Sequence, residues 1–341
     1  MNSKELNDTL IIYSSALINS DLVKIPSVSA FVKKFLYGHP NPPEMHHYVR
    51  RAWLDSNKAI TSVWDSVTAH FSGSNDSDFK ANHSICEYCP SFFEAEKYLC
   101  LNSLHKFGYY VFNNTLSPEF VLQLLDEMSS AGLKPELGGQ KQSERLISRD
   151  EALLSCNLDS LRFFYPKDIV NSSTLVASLA HCPSLLSIVS EYLNGKQFIS
   201  TCSGWLSIGK RNQDAVSLSN AAQEFHFDFD ALKFLKVFVC LSDVDENSGA
   251  HQVISASHRP FPKKCSYTFP TYFRASKNQL LTLYAEDCFR TLKGKKGTVI
   301  IEDTSCFHRG SPLSPNQTRD MIVIQYRDSI LPDLANGCLR K

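Results

Sequence analysis

Apolar positions follow a helical period in the first part of this chain and a strand-like pattern in the rest, and the change falls near residue 100. From Met45 to Phe71, the residues Trp53, Leu54, Ile60, Val63, Trp64, Val67 and Phe71 recur at helical spacing between charged and polar positions. That spacing predicts an amphipathic helix whose aromatic stripe is core. GHPNPPE at 38–44 predicts a proline-rich turn, and the polar run Ser72–Asp78 a loop. Further on, β-branched and aromatic runs predict strands at Gln197–Ile208, Phe234–Leu241, Gly297–Glu302 and Arg319–Tyr326. Ser117 and Pro118 open a helix that Gly132 stops, and Pro183–Leu193 predicts another. The polar stretches 133–150 and 209–220 predict loops, the latter long enough to carry substrate contacts. The pattern as a whole predicts a helical extension over residues 1–100 and a domain over 101–341 that is mainly β with flanking helices.

Composition narrows the function classes. At 341 residues, with 43% hydrophobic and 11% aromatic content, the chain can bury a substantial core. Thirty-five basic residues balance thirty-five acidic ones, so no global field draws it to nucleic acid or to an anionic membrane. The opening MNSKELNDTLIIYSS lacks the plan of a signal peptide, and no apolar run reaches spanning length, which points to a soluble cytoplasmic protein. Eleven cysteines at irregular spacing suit reduced thiols better than a disulfide framework. The tightest cluster, Cys86, Cys89, Cys100 and His105, has the donors of a Cys₃His zinc site. Ordinary thiols are the favoured reading, because Cys100 and His105 sit on a helix that leads into the first strand of the domain.

The chemistry centres on His226-Phe227-Asp228, followed far downstream by His308 and then, eleven residues later, by Arg319. On a strand, His226 and Asp228 share one face while Phe225, Phe227 and Phe229 share the other. Two histidines and one carboxylate with open positions form the ligand set of non-haem Fe(II) oxygenases. An arginine on a strand that re-enters the sheet after His308 can clamp a carboxylate in bidentate fashion. Asp230 is an alternative carboxylate, and Asp228 is favoured because its shorter reach from His226 suits a compact set.

LSDVDENSGAHQVISASHRP, together with HFD, the DTSCFHRG segment and the arginine eleven positions after the distal histidine, resembles the phytanoyl-CoA dioxygenase family of Fe(II)/2-oxoglutarate oxygenases. The resemblance covers roughly residues 100 to 330 and begins with Phe107-Gly-Tyr-Tyr-Val-Phe112. It implies a double-stranded β-helix, or jelly roll, of cupin type. It also implies Fe(II) held by His226, Asp228 and His308, 2-oxoglutarate as cosubstrate with its distal carboxylate on Arg319, and dioxygen on the remaining position. The implied reaction is hydroxylation of a small molecule with release of succinate and CO2. The chain departs from the family pattern twice. A hydroxyl residue usual two places after the distal histidine is Gly310 here, with Leu313 and Pro315 in place of an Asn-x-Ser, and the strand FLKVFVCL lacks a tryptophan found in some relatives.

Other polar residues receive more modest readings. Trp205, Lys210 and Arg211 are candidate substrate contacts because they border or occupy the long loop. His251 and His258 flank a short strand and read as structural histidines. Arg309 is expected to point away from the site and Arg327 to follow the strand core. His39, His46, His47, His70 and His181 have no convergent partners in sequence. Two other classes stay open: a non-redox, cupin-type metal enzyme, which has no need for Arg319, and a jelly-roll binding module, which has no need for the ligand triad.

Overall fold

The computed structural model describes residues 12–37, 42–71, 88–138, 141–154, 161–194, 197–210, 222–262 and 274–328. The strands are β1 (Tyr109–Thr115), β2 (Lys134–Gly138), β3 (Lys141–Gln142), β4 (Arg162–Phe164), β5 (Gln197–Ile208), β6 (Phe225–His226), β7 (Phe234–Cys240), β8 (His251–Ile254), β9 (Arg274–Ala275), β10 (Phe289–Leu292), β11 (Thr298–Glu302), β12 (His308–Gly310) and β13 (Thr318–Asp328). They form an eight-stranded sheet in the order β1-β11-β7-β13-β5-β4-β2-β3 and a five-stranded sheet in the order β10-β8-β12-β6-β9. All the pairings are antiparallel. The two sheets pack face to face as the expected jelly roll, with the expected helices on the outside.

Strand alternation sorts the side chains. Along β13, Ile322, Ile324 and Tyr326 face outward into a core shared with the helices Lys97–Phe107, Pro118–Ser130 and Pro183–Tyr192. Met321 and Val323 face inward and join Phe238, Cys240 and Ile300 of the large sheet with Val253 and Leu292 of the small one. A third cluster covers the outer face of the small sheet. Here Val49, Trp53, Ile60 and Trp64 of the N-terminal helices meet Phe225, Phe227, Phe229, Ile254 and Phe307. Four layers result, and the small sheet lies between the interior and the N-terminal helices.

Several predicted elements are observed and others are redrawn. β5 spans the predicted Gln197–Ile208, and Ser117 caps its helix by accepting the Phe120 N–H, with Pro118 in the first turn. The helix expected over Met45–Phe71 is two helices, Pro42–Asp55 and Ala59–Phe71, because Asn57 and Lys58 take left-handed φ values of 49° and 68°. Pro42 opens a helix instead of continuing the turn. Residues 133–150 are not one loop: β2 and β3 form a hairpin there, β2 pairs with β4, and a helix starts at Arg149.

The cysteine reading needs correction. Cys89 and Cys182 are joined as a disulfide, which ties the start of the domain to the helix Pro183–Tyr192. A zinc quartet cannot draw on a bonded Cys89, Cys100 is fully buried among apolar side chains, and Cys86 lies outside the described residues. His105 lies against Tyr192, ring centroids 5.1 Å apart. Among the described residues no single helix is long and apolar enough to cross a membrane.

Candidate metal centre

β6 is short and carries only the first of the predicted ligands. The chain leaves the strand after His226, and the Asp228 N–H is held by the Thr304 carbonyl at 2.8 Å, so the alternation of faces persists past the ladder. Phe225, Phe227 and Phe229 are buried against the N-terminal helices. On the opposite face His226 and Asp228 meet His308, which pairs directly with His226 across β12 and β6. The two rings are 4.4 Å apart, Asp228 Oδ1 is 3.9 Å from His226 Nε2, and Asp228 Oδ2 is 3.5 Å from His308 Nε2. Among the described residues this is the one group of His, Cys, Asp or Glu side chains whose ligand atoms all lie within 4.8 Å of one another.

The surroundings prepare these groups to bind a cation. His226 Nδ1 lies 2.8 Å from the Glu224 carbonyl, and His308 Nδ1 lies 3.0 Å from the Cys306 carbonyl. A carbonyl only accepts, so each Nδ1 carries the proton and each Nε2 keeps its lone pair for a metal. Burial, reinforced by His308, pushes the His226 pKa well below its ordinary value, so this imidazole is neutral. Burial works against ionisation of Asp228, but the Lys236 ammonium beside it outweighs this and holds the carboxyl well below the usual range. Two imidazoles and one carboxylate on a single face fit a divalent cation with open positions.

Arg319 reaches the same interior from the large sheet. It is 4% exposed, donates from Nη1 to the Gly249 carbonyl, and its Nε–H is buried without a hydrogen-bond partner. Burial lowers its pKa to about 10, which leaves the guanidinium charged at neutral pH. A Cβ on Gly310 would lie 2.6 Å from Arg319 Nη2 and 2.7 Å from Nη1. Gly310 shares a strand face with His308 two residues away, roughly 7 Å along a strand. The glycine that departs from the family pattern is therefore what lets the guanidinium cross between the sheets.

The phytanoyl-CoA dioxygenase profile matches residues 104–321. The chain belongs to the phytanoyl-CoA dioxygenase family. The match takes in all three clustered ligands and Arg319, and it starts after the N-terminal helices. Comparison with curated protein sequences yields no match. Among solved structures, the chain is similar to AviO1 from Streptomyces viridochromogenes Tue57, at 15% identity over 69% of this chain and 96% of that one, with a TM-score of 0.46. It is similar to HygX from Streptomyces hygroscopicus, solved with nickel, 2-oxoglutarate and hygromycin B, at 14% identity over 69% and 88%, with a TM-score of 0.46. The epimerase SnoN, solved with Fe3+, alpha ketoglutarate and nogalamycin RO, is similar at 15% identity over 69% and 84%, with a TM-score of 0.49.

This family member carries site residues that sequence reasoning missed. Lys236 on β7 holds Asp228 Oδ2 at 2.7 Å and Asp230 Oδ2 at 3.0 Å, so the alternative carboxylate Asp230 is engaged by the lysine and stands outside the triad. Glu302, fully buried, pairs in register with Lys236 from β11 and lies 4.0 Å from His308 Nδ1. Burial pushes its pKa up to about 8. Its Oε2 is 2.6 Å from His251 Nε2, in contact but off the line that a hydrogen bond requires. His251 stacks on His308 at 5.5 Å, and burial lowers its pKa to about 3. It is structural as expected, packed behind His308. The strand pattern of FLKVFVCL placed Lys236 on the inward face with Phe238 and Cys240, which was the signal available for it.

The remaining candidates separate by face. Trp205 points inward from β5 beside Arg162, with its indole N–H buried and unpartnered. Arg162 is fixed by two hydrogen bonds to Glu136, at 2.9 and 2.7 Å. Arg274 on β9 pairs in register with His226 and stands beside the centre. Lys210 lies just past β5, and Arg211 lies outside the described residues. Arg309 points away as expected: it covers the Phe225 ring at 4.5 Å and donates to Gln252. Arg327 is buried further along β13, and His258 lies against Cys306, Nδ1 to Sγ 3.6 Å. His46, His47 and His70 belong to N-terminal helices, His181 bonds its own helix end through Ala177, and His39 lies outside the described residues.

Proposed function

We propose that this protein is an Fe(II)- and 2-oxoglutarate-dependent dioxygenase that hydroxylates a C–H bond of a small molecule, with release of succinate and CO2. The observation that carries the reading is the pairing of a convergent His226–Asp228–His308 triad with a buried arginine whose guanidinium reaches the same strand face as His308. His226, Asp228 and His308 would hold the metal through two Nε2 atoms and one carboxylate oxygen. Arg319 would hold the distal carboxylate of 2-oxoglutarate, a charge-assisted contact in a water-poor interior. Iron at this position would supply dioxygen activation coupled to decarboxylation of the oxoacid.

The chain's own residues bind, orient and exclude water. The carbonyls of Glu224 and Cys306 fix both imidazoles, His251 and Glu302 close the space behind His308, and the phenylalanines beneath β6 keep solvent from that side. Asp228 fills the carboxylate position, which disfavours halide binding and with it halogenation. Trp205, inward-facing with an unpartnered N–H, is the proposed substrate contact of the large sheet. A non-redox metal enzyme would leave the buried charge of Arg319 without a purpose, so the oxygenase reading is preferred. The N-terminal helices are proposed as an extension that closes the small sheet.

The test is anaerobic. Fe(II) plus 2-oxoglutarate should give a weak visible charge-transfer absorption, which Arg319→Leu weakens and His308→Ala abolishes. Folded, metal-loaded wild type without that absorption would overturn the proposal. With dioxygen admitted, slow succinate release should accelerate when the right small molecule is added.

A further inference from the structure

Lys236 enters the centre from the large sheet and touches a ligand instead of the metal position itself. It sits on the inward face of β7, between Glu302 of β11 and Gln325 of β13 in register, with 16% of its side chain exposed. Its ammonium is divided between two carboxylates: Asp228 Oδ2 at 2.7 Å and Asp230 Oδ2 at 3.0 Å. Asp230 is the more exposed of the two, at 29% against 21%. The contact occupies one oxygen of Asp228. Both oxygens stay within reach of the triad: Oδ1 lies 3.9 Å from His226 Nε2, and the lysine-bound Oδ2 lies 3.5 Å from His308 Nε2.

A carboxylate held in this way differs from a free one in two respects. An ammonium on Oδ2 opposes chelation through both oxygens, so Asp228 takes one position on a metal and leaves the others for an oxoacid and a gas. The same ammonium draws electron density from the carboxylate and weakens it as a donor. Asp230 moderates that pull, because it takes a share of the lysine's charge.

We infer that Lys236 is a positioning residue acting through Asp228, which it keeps as a one-oxygen, weakened ligand, with Asp230 setting the strength of the effect. The inference rests on the metal reading proposed above and adds to it a named pair of residues that tune the centre. It makes the effects of Lys236 and Asp230 on Asp228 opposite in sign. Loss of Lys236 strengthens the ligand, and loss of Asp230 weakens it.

Two measurements read this without turnover. Mn(II) titration of the metal-free protein should give binding about tenfold tighter for Lys236→Gln and about tenfold weaker for Asp230→Asn, as expected for adding or removing net charge beside a dication. In the anaerobic Fe(II)/2-oxoglutarate complex the visible absorption should move to longer wavelength in Lys236→Gln and to shorter wavelength in Asp230→Asn, with Lys236→Arg near wild type. A lysine that merely braces the fold predicts weaker metal binding in Lys236→Gln and no change in Asp230→Asn, and either result overturns the inference. Should Lys236→Gln fail to fold, Asp230→Asn decides alone: a wild-type affinity and absorption there refute it. Wild type that binds neither Mn(II) nor Fe(II) with 2-oxoglutarate would instead remove the metal reading, and the two failures are thereby distinct.

Discussion

β13 runs for 11 residues and pairs along its length with β5, whereas β12, which carries His308, has three residues and β6, which carries His226, has two. The large sheet is held by its own ladder, and Arg319 rides on it with Asp320 as an anchor on the outward face. Arg149 grips Asp320 through two nitrogens, at 3.0 and 2.5 Å, and Tyr165 donates to it at 2.6 Å. The small sheet has few ladder bonds with which to hold His226 and His308. Its precision comes from outside: the Trp53 ring lies 5.4 Å from Phe227 and 5.0 Å from Phe229, the aromatic residues that alternate with the ligands. Asn57 brackets Phe261 by accepting its N–H and donating to its carbonyl, and Lys58 donates to the Ser257 carbonyl at 2.5 Å. A centre that straddles two sheets can therefore be disturbed from either side, with different consequences.

The largest expected effect is on the small-sheet side. Trp53→Ala removes a side chain only 2% exposed beneath the ligand turn and should cost about 4 kcal/mol of stability. It should also weaken Mn(II) binding although residue 53 touches no ligand. Chemical denaturation paired with metal titration checks both, and undiminished metal affinity in the folded variant would show that the small sheet holds its ligands unaided.

Lys58 gives a pH-dependent version of the same contrast. Burial lowers its pKa to about 8, against an ordinary 10.5. Between those values the unfolded chain binds one more proton than the folded one, so stability rises with pH across the window. The gain should approach about 3 kcal/mol by the upper end. Urea midpoints followed from pH 7.5 to 10 should climb in wild type relative to Lys58→Met, and parallel curves would show that the burial carries no such penalty.

Gly310→Ala, a change on the small sheet that reaches the large sheet's Arg319, sharpens the comparison with the smallest effect. The new methyl would press on the Arg319 guanidinium, so 2-oxoglutarate should bind about tenfold more weakly, a change of about 1.4 kcal/mol. Metal affinity should stay near wild type, because the triad is untouched. Equal losses of both would mean that the arginine and the metal position are not separable.

Much of this was readable along the chain. The three ligand types, their strand context, the phenylalanine alternation and an arginine after the distal histidine are local features whose spacing implies shared faces. Long periodic runs such as Gln197–Ile208 and Arg319–Tyr326 became strands because each buries one or both faces, a requirement written into every second residue. Residues 133–150 misled because β2 and β3 are set by pairing partners and not by an apolar run of their own.

The sequence by itself determined which chemistry the chain can host, since only certain side chains bind a metal and clamp a carboxylate, and which long segments are strands. The tertiary structure alone decided what each of those groups faces: Lys236 on Asp228 and Asp230, Glu302 and His251 behind His308, Gly310 beneath Arg319, Cys89 joined to Cys182, and Lys58 turned inward at a helix break to reach a carbonyl 199 residues away. Such pairings are properties of distance in space, and residues far apart along a chain carry no local signal of the neighbours that folding will give them.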